Sequence, residues 1–281
     1  MDMGNISLKL NADKIAKLKE TFKNDIKPNN NEYIDTFIQN DDLTISIYTS
    51  GKVVFQGKDA LFYGSAFLDK KISRQAGSDE VGTGDFFGPV CVCACIVEED
   101  DYELLEKLGV NDSKLINDKK IEEIGSILIT KLKHSLLILD NEKYNQVHKN
   151  NNLNQIKAKL HNQAYINMLN KNYDIPKACY IDQFAEESLY YSYLKDEKEV
   201  FHDLIFETKA ESKYIAVAAA SIIARYAFIK KMKELENKYK MSFHKGAGED
   251  VDYDASKFVC VYGKEHLNEV CKLHFKNYEK L

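Results

Sequence analysis

Apolar positions recur at helical spacing between Asn11 and Lys23, where Ile15, Leu18 and Phe22 form one face and Lys14, Lys17, Lys19 and Lys23 spread around the rest. The pattern predicts an amphipathic helix with Asn11 or Asp13 as its cap. A polar turn containing Pro28 follows over 25–31. Two strand-like runs come next, Leu43 to Thr49 and Lys52 to Gln56, and Ser50-Gly51 between them predicts a hairpin. Residues 62–75 lead into a second region with a different rhythm.

From residue 76 the pattern predicts strands over 76–81 and 88–98, joined by a glycine-rich turn. A helix over 121–132 and a strand over 135–140 follow. The spacing of Ile156, Leu160, Tyr165, Met168 and Leu169 predicts a helix over 154–171. Short apolar strands are expected at 178–182 and 204–207, an alanine-rich helix at 216–239 and a last helix at 265–276. Strands first, then strands alternating with helices, imply an α/β fold with a mixed sheet and flanking helices. A small α+β domain over 1–70 would precede this main domain over 71–281.

Composition narrows the class. Apolar residues make up 44% and charged residues 30%, with 13 Gly and 3 Pro, which excludes collagen-like and disordered chains. No apolar stretch reaches the roughly 20 residues a membrane span needs. The longest candidate, Ile215 to Ile229, is interrupted by Ser221, Arg225 and Tyr226. The first residues lack a basic-then-apolar signal layout, so a cytoplasmic location is expected. The net charge of −5 gives no bulk hint of a nucleic-acid partner. Ten lysines balance ten acids in the first 72 residues, so the whole deficit falls in the larger domain. Cys91, Cys93 and Cys95 alternate with Val92 and Ala94 and would share one buried strand face. No metal-type cysteine spacing occurs.

The segment Gly77 to Pro89, GSDEVGTGDFFGP, carries the densest candidate chemistry. Asp79 and Glu80 end a strand and a Gly82-Thr83-Gly84 turn follows. On a regular strand neighbouring side chains point apart. At a strand end that breaks into glycines, both carboxylates and nearby backbone amides can converge. A dinucleotide-binding reading fails, because the spacing is GxGxxxG and a strand, rather than a helix, follows. Asp182 ends the run Ala-Cys-Tyr-Ile, at the carboxyl edge where ligands of open α/β sheets gather. Glu211 precedes the long helix, where a carboxylate also serves as a cap. Four such acids gathered together would need divalent metal, and oxygen donors suit Mg²⁺ or Mn²⁺.

These residues resemble a known family. GSDEVGTGDFFGP, GVNDSK at Gly109–Lys114, YIDQF at Tyr180–Phe184, TKAESKYIAVAAASIIARYAF at Thr208–Phe228 and the tail KLHFKNYEKL at Lys272–Leu281 are similar to bacterial ribonuclease HIII. The similarity runs from about residue 43 to the end. It implies a ribonuclease H fold and endonucleolytic cleavage of the RNA strand of RNA–DNA hybrids, leaving 5′-phosphate and 3′-hydroxyl ends. It implies catalytic acids at Asp79, Glu80, Asp182 and Glu211, with Asp79, Glu80 and Asp182 as metal ligands for Mg²⁺ or Mn²⁺. Gly82, Thr83 and Gly84 would grip the ribose, whose 2′-hydroxyl separates RNA from DNA. Ser113 and Lys114 would hold a phosphate. No organic cofactor and a monomer are expected. Thr83 and Glu211 favour this branch over ribonuclease HII, which has Asp at the fourth acid, usually has Gly-Arg-Gly at the turn, and cuts at single ribonucleotides in DNA. A non-catalytic hybrid-binding protein is the remaining alternative.

The family also carries a small N-terminal domain resembling half of a TATA-binding protein. Here the helix lysines with Tyr48, Lys52, Phe55 and Lys58 are its candidate contacts. Lys245 is placed to reach a phosphate, and His244 is given no role.

Overall fold

The computed structural model describes residues 5–65, 67, 73–110 and 116–281. The chain divides into two compact units, residues 1–71 and 72–281.

The first unit runs β1 (Asn5–Lys9), α1 (Ala12–Thr21), β2 (Ile26–Lys27), β3 (Ile34–Gln39), β4 (Thr44–Tyr48), β5 (Lys52–Gln56) and α2 (Ala60–Ser65). The strands form one antiparallel sheet in the order β1-β5-β4-β3-β2. The Asn11 side chain accepts the Lys14 amide at 3.0 Å and caps α1. Leu18 and Phe22 bury against Ile38, Ile45, Ile47, Val53 and Phe55. Gly51, at φ 81°, makes the hairpin turn between β4 and β5. Strand alternation sends Tyr48 and Lys52 to the face away from this core. Phe55 departs from the expected contact set: it is fully buried on the core side and stacks on Phe67. Lys58 pairs with Asp42 at 2.9 Å, and of the helix lysines Lys19 pairs with Asp35 and Lys23 with Glu20.

The second unit opens with β6 (Gln75–Val81) and β7 (Val90–Val97), then α3 (Tyr102–Leu108), α4 (Asp118–Lys131) and β8 (Lys133–Leu139). It continues with α5 (Asn141–His148), α6 (Leu153–Asn170), β9 (Cys179–Asp182), α7 (Glu187–Ser192), β10 (Leu204–Glu207) and α8 (Ile215–Tyr239). It ends with α9 (Glu249–Tyr262), α10 (Leu267–Val270) and α11 (Lys276–Glu279). The sheet order is β10-β9-β6-β7-β8. β6, β7 and β8 pair antiparallel, while β9 and β10 run parallel to β6, so the sheet is mixed.

Every residue of β7 is buried, because helices cover both faces of the sheet. Cys91, Cys93 and Cys95 share one face and pack with α4 and α8, whereas Ala94 and Ile96 pack with α6 and β9. All six cysteines are free, and burial pushes the Cys91 thiol up to about 12.

The expected helix at 265–276 is broken. α10 stops at Val270, Cys271 forms an isolated bridge to Phe87, and the Lys272 amide donates to the Phe86 carbonyl at 2.9 Å. Pairing with the loop between β6 and β7 therefore outweighs helix continuation.

Gly77 marks the closest approach of β6 to α8. A Cβ there would lie 2.4 Å from the Val217 amide nitrogen and 2.6 Å from the Ala216 carbonyl carbon. Gly77→Ala is expected to cost about 2–3 kcal/mol by forcing sheet and helix apart. An unchanged urea midpoint would contradict this packing.

Candidate active site

The β6–β9 pairing builds the centre of the site. Ser78 lies opposite Ile181 in the parallel register, so Asp79 and Asp182 occupy the next position on neighbouring strands, on one sheet face. Strands lie about 4.8 Å apart, which brings the two acids side by side. That face is the one covered by α8, since Gly77, two residues before Asp79, abuts Ala216 and Val217. Asp79 accepts from the Ser221 hydroxyl on α8 and from the Glu80 amide at 2.8 Å. Burial pushes its carboxyl up to about 7; the charges of Glu80 and Asp182 add to the rise and the two hydrogen bonds oppose it.

Asp182 organises the next segment. Its Oδ1 accepts the Ala210 amide at 2.8 Å, which ties the end of β9 to the 3-10 turn Ala210–Ser212. Lys209 enters this turn at φ 55°, a strained conformation for a residue with a side chain. Glu211 is the middle residue of the turn and follows directly on the amide that Asp182 holds. Glu207, opposite Asp182 on β10, pairs with Lys213 at 2.7 Å.

Glu80 departs from the expected convergence. Strand alternation holds through the end of β6, so its side chain points to the opposite face, toward α6. There its Oε1 pairs with Lys157 and its Oε2 with His161 Nε2 at 2.9 Å. Burial acts to raise the Glu80 carboxyl, but His161 and Lys157 together hold it below the ordinary range. Asp79 and Asp182 thus stand together, and Glu80 faces the other side of the sheet.

Oxygen donors and a desolvated Asp79 beside two other acidic charges suit a hard divalent cation, which would relieve their repulsion. Among the described residues no three Asp, Glu, His or Cys side chains are grouped closely enough to hold an ion as they stand.

The glycine turn projects beside this centre. Gly82, at φ 97°, has no room for a side chain, since a Cβ would meet the Pro89 carbonyl oxygen at 2.1 Å. Gly84 faces open space. The turn is braced from behind. Lys272, fully buried, donates from Nζ to the carbonyls of Asp85 at 2.8 Å and Gly88 at 2.5 Å. Asn141 Nδ2 also donates to the Gly88 carbonyl, and the Gly246 amide donates to Asp85 Oδ1. Burial lowers the Lys272 amine to about 8.

Ser113 and Lys114 lie outside the described residues. Lys245 pairs with Asp118 on α4, and His244 Nδ1 with Asp254 at 2.7 Å. Sequence reading missed Lys157, His161, Ser221 and Lys272. The available signal was a lysine and a histidine four residues apart in α6, which places both on one helix face.

Comparison with known proteins adds the following. A family profile described as Ribonuclease HII matches residues 76–278, and one described as Domain of unknown function (DUF3378) matches residues 5–80. The chain is 40% identical over 301 aligned positions to a Ribonuclease HIII of Bacillus cereus, covering 98% of this chain and 97% of that one. A Ribonuclease HIII of Bacillus anthracis matches at the same identity and coverage. The crystal structure of Bst-RNase HIII in complex with Mn²⁺ superposes with a TM-score of 0.75 at 31% identity, covering 99% of this chain and 97% of that one.

Proposed function

Because the chain belongs to the ribonuclease HII/HIII family and is a metal-dependent ribonuclease acting on RNA–DNA hybrids, we propose that Asp79, Glu80, Asp182 and Glu211 are its catalytic acids. The observation that carries this assignment is the side-by-side placement of Asp79 and Asp182 at adjoining strand ends, with Asp79 desolvated. Asp79 and Asp182 would hold Mg²⁺ or Mn²⁺, joined by Glu211 and served by Glu80 from the opposite face. A divalent ion held by these acids would supply charge to activate water and to offset the departing oxygen.

The reaction is hydrolysis in line. A water oxygen bonds to phosphorus, the bond from phosphorus to the 3′-oxygen breaks, and that oxygen leaves as a hydroxyl. The products carry a 5′-phosphate and a 3′-hydroxyl. Ser221 and the Glu80 amide keep Asp79 in one rotamer. Gly82, Thr83 and Gly84 offer backbone to the ribose, and Lys272 and Asn141 hold the carbonyls of Asp85 and Gly88 in the segment that follows. Ser113 and Lys114 would contact a phosphate. Residues 1–70 would bind the hybrid with the face that carries Tyr48 and Lys52, and 71–281 would catalyse.

No helix among the described residues is long and apolar enough to cross a membrane. We infer a cytoplasmic monomer that needs no organic cofactor.

End-group analysis tests the chemistry. Products cut from a labelled hybrid should prime a polymerase directly, which requires a free 3′-hydroxyl. Products ending in a 2′,3′-cyclic phosphate would overturn the reading, because the ribose rather than water would then be the nucleophile.

A further inference from the structure

Behind the acidic centre, α6 presents a lysine and a histidine to a single carboxylate. Lys157 and His161 are four residues apart, so both project from one face of α6. Lys157 Nζ pairs with Glu80 Oε1, and His161 Nε2 meets Glu80 Oε2 at 2.9 Å. The side chains of Lys157 and Glu80 are each 11% exposed and that of His161 is 0% exposed, so little water competes. A carboxylate only accepts, so Nε2 is the donor. His161 Nδ1 lies 2.9 Å from Ser78 Oγ, which orients the ring from its other side. Lys157 Nζ also stands 3.9 Å above the Phe184 ring, and His161 stacks on the same ring at 5.7 Å. Phe184 follows Asp182 by two residues, so one aromatic ring supports both groups that grip Glu80.

Both oxygens of Glu80 are therefore engaged on the face away from Asp79 and Asp182. A carboxylate released at the end of β6 would add its charge to theirs and draw cations to itself. Resting on the assignment of Glu80 to the catalytic set, we propose that Lys157 and His161 are positioning residues of the reaction. They fix Glu80 in one rotamer, and the Lys157 ammonium offsets its charge, so that the substrate-free site binds divalent ions more weakly than an unmasked acid set.

Three consequences separate this role from simple support of the fold. Lys157→Met removes the charge but keeps much of the bulk. It is expected to tighten Mn²⁺ binding to the substrate-free protein about fivefold or more by calorimetry. It should lower kcat at least about tenfold with KM within threefold. Lys157→Arg, which keeps the cation, should restore both values to within threefold of the parent. His161→Gln, which retains a donor near the position of Nε2, should outperform His161→Ala.

The deciding experiment is a double-mutant cycle of Lys157→Met with Glu80→Gln, read by kcat and by Mn²⁺ calorimetry. If Lys157 acts through Glu80, adding Lys157→Met to Glu80→Gln changes neither reading further. Full additivity, failure of Lys157→Arg to rescue, or a Lys157→Met protein within twofold of the parent in both readings would each overturn the proposal. Glu80→Gln at parental activity would instead remove Glu80 from the catalytic set, a failure of the underlying assignment that this comparison exposes separately.

Discussion

Asp79→Asn is expected to reduce hybrid cleavage by about 10³-fold or more, yet to raise the unfolding temperature of the metal-free protein. Both effects have one origin. Asp79 lies at the centre of the acid set, where burial raises its carboxyl from 3.8 to about 7 and the charges of Glu80 and Asp182 add to the rise. A folded-state value above the unfolded one means that the folded chain binds the proton more tightly. Stability therefore falls as pH rises through the window from about 4 to 7 and stays low above it. Asparagine removes that penalty. Because Asp79 is half-buried and some water still reaches its carboxyl, the gain is on the order of 2 kcal/mol, or roughly 4–8 °C at pH 8. At pH 4 the gain should shrink toward zero. Added Mn²⁺ should stabilise the parent and not the variant, since a bound ion favours the state that holds it. Scanning calorimetry in chelator at pH 4 and pH 8, then with Mn²⁺, checks all of these results. A variant less stable than the parent at pH 8 would show that Asp79 is a supporting rather than a strained group.

Asp182 is expected to divide its two duties between two substitutions. Its charge belongs to the acidic centre, while its Oδ1 holds the Ala210 amide and with it the turn bearing Glu211. Asp182→Asn loses the charge but keeps an oxygen acceptor. Asp182→Ala loses both and leaves a buried amide without its partner, a cost of about 1–3 kcal/mol. Cleavage should fall about 10³-fold or more in each. Only the alanine variant should show faster amide exchange across residues 208–212, where Lys209 at φ 55° depends on its surroundings. Equal exchange in both variants would contradict the tie between β9 and the Glu211 turn.

Much of this site is legible in the amino-acid order, and the parts that are not have physical reasons. β7, the first half of β6 and α8 announce themselves because their burial is nearly continuous, and long apolar runs leave few alternatives. β1 and the pair β2–β3 carry a weaker signal. β2 has two residues, both exposed, and β1 lies at a sheet edge with no fully buried residue. The periodicity of α5 and α9 is likewise weak. α5 is polar except at Tyr144 and Val147, and distant partners hold it: Tyr144 is fully buried, and Asn145 donates to the Cys271 carbonyl. Local periodicity cannot register a helix secured in that way. The continuous helix expected at 265–276 fails for a related reason, since Lys272 is recruited by the carbonyls of Asp85 and Gly88.

The direction of Glu80 shows the same limit. The motif makes it a candidate, but its side-chain direction depends on β6 remaining regular through Val81 and on two residues of α6 more than 75 positions away. Phe55, a candidate contact by its aromatic character, is buried instead, because the hairpin register alone does not say which face of β5 meets α1.

The most direct test of the central claim is cleavage of three labelled duplexes by the intact protein: an RNA strand on DNA, DNA containing one ribonucleotide, and DNA alone. Each would be incubated with Mg²⁺, with Mn²⁺ and with chelator. The account predicts cutting within the RNA strand of the hybrid in the presence of divalent metal, none in chelator, and little at the lone ribonucleotide. Metal-independent cutting of the hybrid, no cutting of it under any condition, or preferential cutting at the single ribonucleotide would contradict it.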